Sequence, residues 1–534
     1  MKKRSIALWA VALTLASGCK DYLDVNTNPN GPETVAPNLY LAPMLHWLVT
    51  SPEYDGRYIG MYTQQWVSTS TNNSPYFTWG RMGYDPGSDN GAQQWRDIYW
   101  SFGQGLVDMM LKAEAEERWD ILGLGYLLKG WGWMVLTDMH GEIIVKEAFD
   151  QTRFTFDYDS QDYVYTEILR LLDESIKNLQ RTDGQDLDAS YMARGDRIYA
   201  GDRTKWLKLA YGVRAMVKNH LSNKASLYKP DEIIADVDKS LASNAEDPLL
   251  PYTATVPTFD DYNFLGTSRD NVTLFRQTQF AINMLNGTNF GGTVDPRLTR
   301  MLAPSPDGQF RGLDPNTNGF GGLTTDQRPN NFFGYAASAR QTPSRYIFDD
   351  KTKLPAITTY AVLQFVKAEA AFNKGDKATA LAAYRNAIDA HITFVNSRNQ
   401  DAAQAPTQIS AAERSAFLAD PNIVPTDPAQ LTISMIMMQK YIALWGWGHN
   451  ELWMDMRRYH YTDLDPATSK QIYLGFTAPT TLYTDNAGKM VWRIRPRYNS
   501  DYVWNKPGLS AIGGLAADYH TKQPWIFCAA TCTP

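Results

Sequence analysis

Between residues 357 and 394 apolar side chains recur every three to four positions in two stretches separated only by Gly375-Asp376, a tight turn between two helices. Gly375, Ala380, Tyr384 and Ala387 stand where two antiparallel helices need a turn residue, a small residue at close approach, a ring to fill the gap toward the next pair and a second small residue. One such hairpin cannot bury its apolar face alone, so the pattern asks for further pairs stacked on it. The period returns at about 95–117, 119–137, 161–180, 204–222 and 430–458, most plainly in Ile168, Leu171, Leu172, Ile176 and Leu179.

The offsets at 375–387 are those of a tetratricopeptide unit, and the pairs at 95–137 and 161–222 read as degenerate versions of it. The expected fold class is all-α: tetratricopeptide-like helix pairs forming a scaffold, with residues 39–534 as one domain. Two stretches fall outside the helical pattern. Residues 68–94 are rich in Ser, Thr, Asn and Gly, and residues 245–355 form a long loop-rich insertion with one helix expected near 272–285. Long insertions in compact proteins are usually functional.

The start of the chain concerns address. Lys2, Lys3 and Arg4, an apolar run from Ile6 to Ala16 and the small residues before Cys19 form an export signal over residues 1–18, too short to span a bilayer of about 30 Å. This pattern resembles a bacterial lipobox, which makes Cys19 the expected lipidated N-terminus and residues 19–38, rich in Asn, Pro and Gly, a tether. Lipidation at Cys19 leaves Cys528 and Cys532, an even pair that could form a disulfide in an oxidising compartment.

Catalytic patterns are scarce. The net charge of −6 offers no basic face for phosphates, so nucleic acid is not an expected partner. The seven histidines include no pair at the helical spacing of zinc proteases, and neither a metal nor a cofactor is expected. Gly123 and Gly125 lie inside a helical pattern rather than in a dinucleotide loop. Asp24, Asn26 and Asn28 begin like a calcium loop, but Pro29 and Val35 occupy its turn and bidentate positions. Glu114, Glu116 and Glu117 read as a solvated helix face rather than a glycosidase pair. The chain is expected not to be an enzyme.

Aromatic residues make up 13% of the chain, with 16 Trp and 30 Tyr. The loops place such rings beside amides and charged groups: Asn73, Tyr76, Trp79, Tyr84 and Asp89 in the first, and Tyr262, Asn263, Phe264, Arg269, Phe332 and Tyr335 in the insertion. Sugar rings lay apolar C–H faces on aromatic rings while polar side chains meet their hydroxyls. The same residues could instead staple the loops to the helical body. Trp131, Trp133, Trp206, Trp445, Trp447 and Trp453 lie in helical patterns and are expected in the core.

Several stretches together resemble one family, the SusD/RagB-like nutrient-binding lipoproteins of the Bacteroidetes outer membrane. They are the tether DYLDVNTNPN; Thr137 to Ile143; the run Asp196, Tyr199, Gly201, Asp202, Lys205, Trp206, Lys208, Ala210 and Arg214; the helix Thr359 to Phe372; and a C-terminal set that includes Gln439, Lys440, Tyr441, Glu451, Trp453, Asp455, Arg457 and Arg458. Asp202 is expected to cap the helix that carries Trp206 inward. The resemblance implies a lipid-anchored, surface-exposed outer-membrane protein that closes over a SusC-like TonB-dependent transporter and delivers oligosaccharides to it, or oligopeptides in some members. A secreted glycoside hydrolase is the alternative from another class. The family's binding residues vary, so the candidate site rests on loop composition.

Overall fold

A computed structural model describes residues 35–529 except 71–73, 186–187, 256–260, 317–318, 334–345 and 399–407. The signal, Cys19, the tether up to residue 34, Asn73, Tyr335 and Cys532 therefore lie outside the described residues.

The chain is mostly helical, as its periodicity requires. The principal helices are α1 (Leu41–Tyr62), α2 (Gly103–Ala115), α3 (Trp119–His140), α4 (Gln161–Leu179), α5 (Arg203–His220), α6 (Pro230–Lys239), α7 (Tyr360–Lys374), α8 (Lys377–Asn396), α9 (Ile433–Leu444) and α10 (His449–Arg458). Packing runs in order from α2 through α3, α4, α5 and α6 to α7 and α8; α9 then lies on α7, and α10 returns to α1. The turn between α7 and α8 follows the local chemistry. Gly375 takes φ +91°, a left-handed conformation that a side chain resists, and the Asp376 carboxylate accepts from the Thr379 amide as N-cap. Ala380, Tyr384 and Ala387 are fully buried, and the Tyr384 hydroxyl donates to the Ile423 carbonyl at 2.9 Å. Asp202 caps α5 as expected, accepting from the Lys205 amide, and Trp206 points inward to Asp196 at 2.8 Å. Close approach of α3 and α4 depends on Gly123, where a Cβ would lie 2.6 Å from Leu179.

Three expected elements differ. The helix near 272–285 begins as a strand. β1 (Trp66–Ser68), β2 (Leu249–Leu250), β3 (Phe275–Gln277) and β4 (Leu354–Pro355) form two antiparallel pairs, β1 with β3 and β2 with β4. Helix starts only at Gln279, after Thr278 caps it through the Ala281 amide. Residues 430–458 divide into α9 and α10 because Gly446 turns the chain at φ +90°. Residues 95–117 are interrupted by a π-helical turn, Asp97–Phe102, between a short helix and α2. The β2–β4 pair ties the two ends of the 245–355 insertion together, so the insertion leaves and re-enters the body at one place.

The charged residues of the C-terminal signature lie inside. Lys440 of α9 reaches Glu451 and Asp455 of α10 at 2.8 Å each, and Arg458 makes a two-pronged bond to Glu369 of α7 at 2.7 and 3.0 Å. His220 of α5 contacts Glu451 at 2.8 Å and Asp138 of α3 at 3.3 Å. All of these side chains are buried, so the network clamps helices together and meets no ligand. Trp131, Trp133, Trp206, Trp445, Trp447 and Trp453 are buried as expected.

Candidate functional site

The loop residues picked out by composition are mostly occupied in packing. Trp79 is 1% exposed, with its ring stacked on Tyr62 at 5.1 Å and tilted against Tyr58 at 4.8 Å. Phe264 is covered by Tyr54 at 4.2 Å, and Phe332 stacks on Phe348 at 4.6 Å. The buried Asn263 amide donates to the Ile347 and Asp349 carbonyls. These four are corrected from ligand platforms to loop staples: the three apolar rings gain more from burial beside a large core than from exposure, and the Asn263 amide is spent on backbone carbonyls. Tyr76 is half-buried against Tyr58 and Phe275, and Arg269 lies over the Phe264 ring at 5.5 Å. Tyr262 is half-buried. Tyr84 is also half-buried, its hydroxyl donating to Asp485 at 2.7 Å.

Unburied rings gather elsewhere. A cavity of about 580 Å³ lies between the π-helical turn at 97–102, the segment 144–156 that follows α3, and residues 497–505. Trp100, Phe154 and Trp504 line it at 70%, 89% and 74% exposure. Isolated exposed aromatics need no explanation, but three around one concavity mark a binding surface. The first wall follows from the π turn. Trp95, Tyr99 and Phe102 keep the helical spacing toward the core, and Trp100 falls off that stripe into solvent. Asp97, fully buried, anchors the turn by accepting from Gln93 at 2.8 Å, Ser101 at 2.7 Å and Ser51. The Arg96 guanidinium lies 4.4 Å over the Trp100 ring and 3.0 Å from Asp97, which fixes one face of the indole.

Tyr99 joins the second wall to the first: its hydroxyl donates to the Ile144 carbonyl at 2.7 Å and accepts from the Ile144 amide at 3.0 Å. Asn505 ties the third wall to the second through the Phe156 amide and carbonyl at 2.9 and 3.0 Å. Asp89, from the first loop, locks the rim by accepting from Arg497 at 2.5 Å and from the Asn499 backbone and side chain at 2.9 and 2.8 Å. Burial pushes the Asp501 carboxyl upward, against hydrogen bonds from Tyr158 and Ser500 that favour its charge. The rings therefore stand on a braced frame, with Arg96, Arg497, Ser500, Asp501 and Asn505 at their edges.

Asp501 is the one carboxylate lining this cavity among the described residues, so the paired carboxyls of a glycosidase are not assembled there. Among the same residues no group of three or more His, Cys, Asp or Glu side chains is placed to hold a metal ion. No described helix is long and apolar enough to cross a membrane.

Sequence reading missed Trp100, Phe154 and Trp504. Two of the three carry a local signal: Trp100 lies off the apolar stripe that holds Trp95, Tyr99 and Phe102, and Trp504 ends the run Tyr502, Val503 and Trp504, which is apolar without any period.

A SusD-like family model, described as starch-binding and associating with outer membrane, matches residues 29–476. No curated protein matches the chain. A SusD/RagB family protein from Bacteroides thetaiotaomicron superposes with a TM-score of 0.65 at 20% identity, covering 94% of this chain and 100% of that one. A SusD homologue from Bacteroides fragilis gives 0.69 at 19% identity, with 92% and 100% covered. A chitin-binding SusD homologue from Flavobacterium johnsoniae gives 0.65 at 18% identity, with 93% and 99% covered. At these identities the superpositions speak for the fold.

Proposed function

This chain belongs to the SusD-like family of proteins associated with the outer membrane, and on that premise we propose that it captures oligosaccharides without chemically altering them and passes them to a SusC-like TonB-dependent transporter. The observation that carries this reading is the cavity of exposed rings, Trp100, Phe154 and Trp504, edged by groups that bond hydroxyls. Flat pyranose faces fit such rings, and Arg497, Ser500, Asp501 and Asn505 supply donors and acceptors for their rims. The chitin-binding relative and the family's starch-binding description agree with a glycan ligand. In this proposal Cys19 carries the lipid that holds the protein on the cell surface, which mass spectrometry of the mature N-terminus tests directly.

Titration with a panel of oligosaccharides and peptides, followed by tryptophan fluorescence, tests the ligand. Stacking on one ring contributes about 0.5–1.5 kcal/mol beyond area burial. Trp100→Ala and Trp504→Ala are each expected to weaken saccharide binding about two- to tenfold, with no product formed after long incubation. Undiminished affinity in both variants would remove the cavity from the reading. Peptide binding with no saccharide binding would move the ligand class to oligopeptides.

A further inference from the structure

A second cavity of about 250 Å³ lies on the other side of residues 495–502, lined by Tyr84, Asp85, Ser88, Asn90, Tyr498 and Tyr502 among others. The two cavities share one wall. Arg497, Ser500 and Asp501 face the larger cavity, while Arg495, Tyr498 and Tyr502 face the smaller. The wall is a π-helical turn, Tyr498–Tyr502, and it is braced from both directions. Asp89 holds Arg497 and Asn499, and Arg495 donates to the Tyr502 hydroxyl at 2.8 Å. Tyr498 and Asn499 are exposed on its crest.

The smaller cavity repeats the chemistry of the larger. Tyr498 and Tyr502 lie parallel, with centroids 5.9 Å apart and planes 14° apart, and Arg495 covers the Tyr84 and Tyr502 rings at 4.4 and 5.1 Å. Asp85, Ser88 and Asn90 supply polar edges. Independent small-molecule pockets usually measure about 300–1,000 Å³. At about 250 Å³ the smaller cavity falls short of that range, whereas the larger, at about 580 Å³, lies within it. Size therefore favours an accessory subsite over a separate site.

We propose that the two cavities bind one oligomer, a hydroxyl-rich neutral saccharide chain seated on Trp100 and Trp504 that crosses the crest at Tyr498 and places its far end against the smaller cavity. Neutrality follows from how the cations around the wall are taken up: Arg497 is matched by Asp89 and Arg96 by Asp97, while Arg495 donates to the Tyr502 hydroxyl and the Ala517 and Gly514 carbonyls, lies over the Tyr84 and Tyr502 rings and shares the smaller cavity with the Asp85 carboxylate, so the lining does not call for an acidic sugar. This inference rests on the saccharide reading above and adds chain length and charge to it.

The test measures affinity for a size series of neutral oligosaccharides, with an acidic series of matched length, on the full chain and on Trp100→Ala, Tyr498→Ala and Tyr498→Phe. The native protein is expected to bind long neutral members several-fold more tightly than short ones. Tyr498→Ala should abolish that gain while leaving short members unchanged, and Tyr498→Phe, which keeps the ring, should retain it. Trp100→Ala should weaken short and long members alike. Affinity independent of length, a Tyr498→Ala loss equal at all lengths, or a preference for the acidic series would overturn the two-cavity proposal while leaving saccharide capture standing. Failure of every saccharide to bind would instead overturn the saccharide reading and this inference with it.

Discussion

His220 lies between two carboxylates in the middle of the helical stack. Burial opposes a charged ring there, but Glu451 and Asp138 outweigh it and hold its pKa at about 9. A pKa raised on folding contributes stability that is complete below about 6.5, the unfolded value, and is lost as pH rises through 9. At about 1.4 kcal/mol per unit, the contribution is on the order of 3 kcal/mol. His140 and His449 carry the opposite sign. Burial holds both near 3, so their contribution is complete above about 6.5 and is lost as pH falls. The unfolding midpoint of the native protein is expected to drop between pH 6.5 and 9 relative to that of His220→Gln. Parallel curves for the two proteins would show that His220 does not carry the charge.

At the scale of elements, the structure separates parts that hold the stack from parts that hold the cavity. Asp376 caps α8 in the helix pair that the sequence marks most clearly, and it lines neither cavity. Asp376→Ala is expected to lower stability by about 1 kcal/mol in denaturant unfolding and to leave ligand affinity unchanged. Asp97 braces the π turn that aims Trp100 outward. Asp97→Ala leaves buried donors unsatisfied and is expected to cost about 1–3 kcal/mol of stability. It should also weaken binding, because the indole loses the frame beneath it. An affinity unaffected by Asp97→Ala would show that Trp100 needs no π turn to face the ligand. The interruption itself was not legible in the sequence: the apolar positions on either side fit one continuous helix, and one extra residue in a turn changes which face Trp100 occupies without changing composition.

For the molecule as a whole, one continuous apolar core runs from Leu41 to Phe527, and a buried ionic network joins α3, α5, α7, α9 and α10 through it. Glu369→Ala strips Arg458 of its bidentate partner, leaving it Asp455 as counter-charge, and removes the buried acceptor of Asn219 and Tyr459, so it is expected to cost about 3–5 kcal/mol. Chemical denaturation measures this, and a loss below about 1 kcal/mol would contradict the clamp. The sequence by itself determined the helix pairs, the Gly375-Asp376 turn, the cap at Asp202 and the inward tryptophans, because periodicity, turn chemistry and capping act over a few neighbouring residues. Family resemblance reached the scaffold for the same reason, since signature residues such as Asp196, Trp206, Lys440, Glu451, Trp453, Asp455 and Arg458 are buried packing and charge contacts. Which rings stay open to a ligand was decided only by tertiary structure. Trp79 is covered by Tyr62 of α1 and Phe332 by Trp66 and Trp445 from other elements, while Trp100, Phe154 and Trp504 come from separate segments, and the last lies beyond the stretch that the family model matches. Exposure is a property of what packs against a residue, and a local pattern such as the stripe beside Trp100 does not decide it.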